Sequence, residues 1–169
     1  VELRQERSFV DLEAELEAWP FSREDPTIAL VEQRLADWGP EYDATVSVAG
    51  GALAAAHVPR ARAALTEWTW GRDAHYTDLK QYIDEAGPKY DQACGALENA
   101  VAGRDVPGLR AALAGWSYSK DDAIYKGAQE ALASFQSGYQ EQVEGLQSAE
   151  ANKFVPQLRE AVAEWKYST

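Results

Sequence analysis

The amino-acid sequence predicts an all-α protein built from tandem repeats of about 48 residues. Three stretches follow one template: VPRARAALTEWTW (58–70), VPGLRAALAGWSYS (106–119) and VPQLREAVAEWKYS (155–168). Within each stretch the apolar residues recur with the spacing of one face of a helix of about 3.6 residues per turn. Gly and Pro signals separate the helical segments, and no convincing strand pattern occurs in the sequence.

Each repeat opens with a short helix whose apolar stripe ends at a tryptophan. The stripe places apolar residues at offsets 0, 3, 7 and 10, and SFVDLEAELEAWPFS (8–22) supplies a fourth copy. These tryptophans recur at a nearly constant spacing and are Trp19, Trp68, Trp116 and Trp165. We expect Trp68 and Trp116 to be buried where helices meet. The short helices are expected near 9–19, 58–68, 106–116 and 155–166.

Two longer helices are predicted to follow in each repeat. Ser22–Asp25 and Ser119–Asp122 have the composition of N-caps with acidic first turns, which favours a second helix from there. The segments GPEYD (39–43), GPKYD (87–91) and QSGYQ (136–140) are interpreted as stops before a third helix. The longer helices are expected near 23–38, 41–56, 72–86, 89–103, 120–135 and 138–152.

The predicted fold is therefore a set of three-helix repeats stacked as a helical solenoid in a single domain over residues 1–169. The units are about 9–57, 58–105 and 106–154, with a partial fourth at 155–169. Short joints without a Gly/Ser linker favour stacking over independent folding. Consecutive three-helix bundles or one large helical bundle are the alternatives. The sequence also fits a section of a longer array.

Composition and charge narrow the functional classes. Sixteen Lys and Arg oppose 28 Asp and Glu, which gives a formal net charge of −12. This acidic balance without a basic patch argues against nucleic acid as a partner. No apolar run approaches the roughly 18 residues of a membrane span, so we expect a soluble protein without membrane insertion. The single cysteine excludes an internal disulfide, and compartment and oligomeric state stay open.

Few residues are candidates for chemistry. Cys94 falls at an apolar stripe position, which predicts a buried, unreactive thiol. His57, where a short helix begins, is expected to be a capping or exposed residue, and neither it nor His75 has the spacing of a metal-binding motif. Asp121 and Asp122 could form an acidic metal-binding pair, although a helix N-terminus favours acidic residues there in any case. We therefore expect no catalytic residue, no metal and no cofactor.

Two rows of recurring residues are the candidates for ligand or partner binding. The first row contains the aromatic residues two positions after each repeat tryptophan: Phe21, Trp70, Tyr118 and Tyr167. Such corners are often part-exposed, and Tyr and Trp anchor protein interfaces. The second row contains arginines able to bind acidic partners: Arg62, Arg110 and Arg159. The structural alternatives are rings that seal the corners and arginines paired with Asp73 or Asp121.

The leading functional hypothesis is a non-enzymatic binding or scaffold module that presents a repeated helical surface to another protein. A second hypothesis is recognition of a small molecule or glycan by the aromatic corners, at a cell surface. A third is an enzyme on a helical array with an acidic metal site that uses Asp121, Asp122 and His75.

Overall fold

A computed structural model describes residues 8–20 and 26–167. Within these residues short and long helices alternate, and there is no β-strand. The helices are α1 (Phe9–Glu17), α2 (Pro26–Ala54), α3 (Val58–Thr66), α4 (Ala74–Ala102), α5 (Val106–Ala114), α6 (Ala123–Ala151) and α7 (Val155–Ala163). The all-α prediction is confirmed. None of these helices combines the length and apolar character that crossing a membrane requires.

The long helices correct one part of the sequence prediction. The stops expected at 39–43, 87–91 and 136–140 lie inside α2, α4 and α6, so the predicted second and third helices are one continuous helix. Pro40 and Pro88 each remove one helical hydrogen bond but do not end the helix. Glycine precedes both prolines and lacks the Cβ that normally drives the preceding residue out of helical geometry. The described repeat is thus a helix pair rather than a triplet.

The short helices begin at the predicted residues and end two or three residues earlier than expected. Each tryptophan lies just outside its helix, where its backbone N–H donates to the carbonyl three residues earlier. This bond measures 3.3 Å from Trp68 N to Leu65 O and 3.4 Å from Trp116 N to Leu113 O. This tighter last turn gives a hydrogen-bond partner to a carbonyl that would otherwise lack one, and it places the tryptophan outside the regular helix.

Each long helix turns into the next short helix through three residues with a repeated geometry. The second of them adopts a left-handed backbone without being glycine: Ala56 (φ 47°), Arg104 (φ 50°) and Lys153 (φ 52°). The residue after it closes a six-to-one hydrogen bond, as from Asp105 N to Ala100 O at 2.8 Å. Asp105 also caps α5 by accepting from Gly108 N, and His57 Nδ1 caps α3 by accepting from Arg60 N, which agrees with the capping role expected of His57.

The slightly unequal spacing of Trp68, Trp116 and Trp165 has its origin in the connection after each tryptophan. Helices α3 and α4 are joined by segment 67–73, whereas α5 and α6 are joined by segment 115–122, which is one residue longer. Helix lengths and the three-residue turns are the same in both repeats. The added residue in this connection therefore accounts for the longer period of the later repeat.

The chain divides into two compact units, Val1–Pro88 and Lys89–Thr169, and the division falls within α4. In the first unit, α1 and α3 both pack against α2. The buried core there includes Tyr42, Ala61, Trp68, Trp70 and Leu79.

In the second unit, α5 and α7 both pack against α6. Its buried residues include Val106, Leu109, Trp116 and Tyr125. Cys94 is also buried, as its stripe position predicts, and burial raises the pKa of its thiol.

Candidate functional site

Aromatic residues that follow α3, α5 and α7 pack against a tyrosine from the preceding long helix. In the second unit the ring centroid of Tyr90 lies 5.8 Å from that of Trp116 and 5.2 Å from that of Tyr118. The Tyr90 and Tyr118 rings are nearly perpendicular, at 85°, which is a favourable edge-to-face contact. We call this arrangement the tyrosine clasp.

The clasp recurs around Tyr139 with closely similar geometry, and the first unit repeats the contact between the tyrosine and the second aromatic ring. Tyr139 lies 5.8 Å from Trp165 and 5.4 Å from Tyr167, again edge to face. In the first unit Tyr42 meets Trp70 at 5.6 Å and 88°. The tyrosine precedes the repeat tryptophan by the same number of positions in every clasp. The Trp-x-aromatic motif therefore has a structural role, because its rings hold the preceding long helix in place.

Two of the clasped tyrosines donate to an aspartate that caps the next long helix. Tyr90 Oη donates to Asp122 Oδ2 at 2.8 Å, and Asp122 Oδ1 accepts from Ile124 N at 3.0 Å. In the first unit, Tyr42 Oη donates to Asp73 Oδ2 at 2.6 Å, and Asp73 Oδ1 accepts from Tyr76 N at 2.8 Å. One carboxylate thus caps a helix N-terminus and satisfies a buried hydroxyl.

The electrostatics of the clasp keep these tyrosines neutral. Burial raises the pKa of both the Tyr42 and the Tyr90 hydroxyl above the ordinary value of about 10, and the neighbouring carboxylates raise it further. A neutral hydroxyl that donates to a carboxylate is a stabilising arrangement at neutral pH. It is not one that activates the tyrosine as a base or nucleophile.

The indole N–H groups of Trp68 and Trp116 are satisfied by the connections that follow them. Trp68 Nε1 donates to Gly71 O at 3.0 Å, and Trp116 Nε1 donates to Ser119 O at 3.1 Å. Both side chains are buried, as the sequence predicts. These bonds fix each ring above the loop that follows it.

The aromatic row predicted for binding divides into different environments. Phe21 lies outside the described residues. Trp70 is only 3% exposed, which corrects the expectation of a part-exposed ring, because Phe9, Trp38 and Tyr42 pack around its indole.

Tyr118 and Tyr167 are half-buried, as a corner position predicts. Tyr167 Oη donates to Phe135 O at 3.2 Å, and burial raises the pKa of Tyr118. A binding role for this aromatic row stays a prediction.

The arginine row also divides. Arg62 is half-buried, and its Nη2 lies 3.0 Å from the position that a Cβ on Gly87 would take. Arg110 and Arg159 are exposed. Their binding to acidic partners stays a prediction.

The acidic residues proposed as a metal pair have other contacts. Asp122 is buried and uses both carboxylate oxygens in the clasp and the helix cap. Asp121 is exposed and forms an ion pair with Lys126 at 3.0 Å. His75 is exposed, with its ring 6.4 Å from that of Tyr42. Among residues 8–20 and 26–167, no group of three or more His, Cys, Asp or Glu side chains is arranged to hold a metal ion.

A shallow groove of about 350 Å³ lies between α2 and α3. Its lining residues are Glu41, Ala44, Thr45, Val48, Ala64, Glu67 and Thr69. Val48 is 61% exposed, and Thr45 Oγ1 accepts a hydrogen bond from Trp70 Nε1 at 3.2 Å. The groove thus combines apolar and acidic groups, and one of its lining residues is hydrogen-bonded to the buried Trp70.

Sequence reasoning missed two of these features. The tyrosine–aspartate pair was not predicted, because its two residues lie 31 or 32 positions apart, beyond the reach of a local pattern. A signal was present, since Asp73 follows Tyr42 and Asp122 follows Tyr90 at separations that differ by a single position. The α2–α3 groove has no recognisable signal in the sequence, because an exposed valine in a helix does not by itself indicate a binding site.

Comparison of the chain with protein-family models, with curated proteins and with solved structures finds no match.

Proposed function

We propose that the protein is a non-enzymatic binding module that presents its helical repeats to another protein. The observation that carries this proposal is the α2–α3 groove. The groove is lined by the exposed Val48 together with Glu41 and Glu67, and the chain has a net charge of −12. An apolar anchor flanked by acidic groups suits a partner segment with an apolar side chain between basic residues.

The proposal gives the buried Trp70 a supporting role at the site. Its indole donates to Thr45, which lines the groove, so the ring positions the groove wall from beneath. This role replaces the direct contact that the sequence suggested for an exposed ring.

We also propose that successive helix pairs stack as layers of a helical solenoid. Support comes from the constant helix lengths, the repeated three-residue turns and the clasp that joins each long helix to the next short one. A solenoid offers such grooves in series, which fits a scaffold.

The test is a display library of helical peptides with an apolar residue flanked by lysine or arginine. Peptides selected on the wild-type chain should lose about tenfold or more in affinity for Val48→Asp, because the buried apolar contact is replaced by a charge. Ala96→Asp is the matched control. Residue 96 is also exposed and lies six positions after a clasped tyrosine in α4, as residue 48 does in α2.

Binding should also weaken as salt is raised, because rim charges are screened by ions. Failure to enrich basic peptides, or an equal loss of affinity with Ala96→Asp, would contradict the proposal.

A further inference from the structure

The short helices α5 and α7 carry the same apolar stripe in different surroundings. In α5 the stripe begins with Val106 and Leu109, which are both 0% exposed. In α7 the matching residues are Val155, which is 55% exposed, and Leu158, which is half-buried. Further along the stripe, Val162 is 62% exposed, whereas its counterpart Leu113 is half-buried. Since both stripes have the same spacing and similar side chains, the difference lies in what covers them.

The chain itself shows what covers such a stripe. Helix α6 follows α5 and packs against it, and α6 also packs against α7 from the preceding side. Within the described residues, no long helix follows α7. The face of α7 that corresponds to the buried face of α5 is therefore open.

The clasp beside α7 provides a second, independent observation. Tyr42 and Tyr90 each donate to the aspartate that caps the next long helix. Among the described residues, the Tyr139 hydroxyl has no such acceptor, although the rings of Trp165 and Tyr167 are in place around it.

Exposure differs in the same direction. Tyr139 and Trp165 are half-buried, whereas Tyr90 and Trp116 are buried. One neighbour would complete both the Tyr139 hydroxyl and the open stripe of α7, namely a long helix that begins with an aspartate cap.

Charge favours the same kind of neighbour. Between residues 152 and 167 the chain carries Lys153, Arg159 and Lys166 against Glu160 and Glu164, so this segment is slightly positive within an acidic protein. The α6 segment 122–151 carries five acidic residues and one lysine. An acidic long helix is therefore attracted to the face of α7, where Arg159 is exposed.

We propose that the open face of α7, together with Tyr139, is a docking site for a long amphipathic helix of this same repeat type. The occupant begins with an aspartate that accepts from Tyr139 and carries an aromatic residue at its third helical position, as Tyr76 and Tyr125 do in α4 and α6. Its apolar stripe covers Val155 and Val162. This site lies in the second unit and does not depend on the α2–α3 groove, so either proposal can fail alone.

The experiment titrates the 169-residue chain with a synthetic peptide of residues 122–151, acetylated and amidated at its ends. An isolated helix is only marginally stable in water, so docking should raise helical circular dichroism beyond the sum of the separate components. Saturation at one peptide per chain is the expected result.

Two chain variants and one peptide variant locate the contact. Val162→Asp should weaken binding about tenfold or more. Tyr139→Phe in the chain and Asp122→Asn in the peptide should each weaken it severalfold, and the two losses should not add, because they remove the same hydrogen bond. Leu30→Asp, at an exposed position of α2, is the control and should leave the affinity unchanged.

Three results would overturn the proposal. The first is no helix gain with the peptide, or an equal gain with a scrambled peptide. The second is binding that responds to Tyr90→Phe and not to Tyr139→Phe, which means that the peptide exchanges with the chain's own α6. The third is self-association of the chain that Val162→Asp abolishes, which makes a second copy the occupant.

Discussion

Tyr90 and Tyr139 occupy the same position in successive repeats, and their clasps differ in one respect. The tryptophan lies 5.8 Å away in both, and the second aromatic ring lies at 5.2 Å and 5.4 Å. Only Tyr90 is buried and donates to a capping aspartate. The ring contacts are therefore formed within one stretch of chain, whereas burial and the hydrogen bond are supplied by the following long helix.

The comparison predicts its largest effect at the tryptophans. Trp116→Ala should lower the free energy of unfolding by about 3–5 kcal/mol, because a buried ring is removed from between packed helices. Trp165→Ala should lower it by no more than about 2 kcal/mol, because a half-buried ring loses less apolar contact. Urea denaturation of both variants measures the difference, and equal losses would show that burial by the next helix is unimportant.

A smaller effect is expected at the tyrosine hydroxyls. Tyr90→Phe should lower the free energy of unfolding by about 1–3 kcal/mol, because the buried Asp122 carboxylate loses a donor. Tyr139→Phe should change it by less than about 0.5 kcal/mol, because among the described residues that hydroxyl has no carboxylate acceptor to lose. Denaturation of the two variants under the same conditions checks this, and a loss at Tyr139 as large as that at Tyr90 would refute it.

Alkaline pH should reduce the stability that the Tyr90 hydroxyl contributes. The pKa of the Tyr90 hydroxyl is raised in the folded state above its unfolded value of about 10, so its contribution is complete below a pH of about 10. The contribution is lost as pH rises further, because the unfolded state releases the proton first. The stability difference between wild type and Tyr90→Phe should therefore narrow above that pH in a series of urea denaturations. A difference that widens with pH would contradict the assignment.

The smallest effect concerns the left-handed turn before each short helix. Lys153→Gly should raise the free energy of unfolding by about 0.5 kcal/mol, because glycine adopts this backbone without steric cost. Arg104→Gly should raise the free energy of unfolding by less. The Arg104 guanidinium lies 6.0 Å from the centre of the Phe135 ring, and the substitution removes that contact. Thermal melts of both variants provide the measurement, and a lower Tm for Lys153→Gly than for wild type would contradict the strain argument.

Local features of the fold were predictable from the sequence, and contacts between repeats were not. The starts of the short helices follow from the Val-Pro pairs and the helical periodicity, which act within a few residues. The helix break predicted at Pro40 was wrong, because the preceding Gly39 has no Cβ to clash with the proline ring.

The candidate site was less predictable for the same reason. The exposure of Trp70 depends on Phe9 and Trp38, which lie far away in sequence. The Tyr90–Asp122 bond likewise depends on how α6 starts relative to α4, and no local pattern specifies that placement.

The unequal connections after the repeat tryptophans also show where the chain tolerates a change in length. The connections 67–73 and 115–122 differ by one residue, yet each holds an indole–carbonyl bond and a tyrosine–aspartate bond of nearly equal length. In the three-residue turns, by contrast, the backbone N–H of the last residue donates the six-to-one hydrogen bond, so a change in length there would break it. Insertions and deletions should therefore accumulate between Ser119 and Asp122 rather than at 103–105. An epitope tag or a fluorescent label placed after Ser119 should leave the register of every flanking helix unchanged.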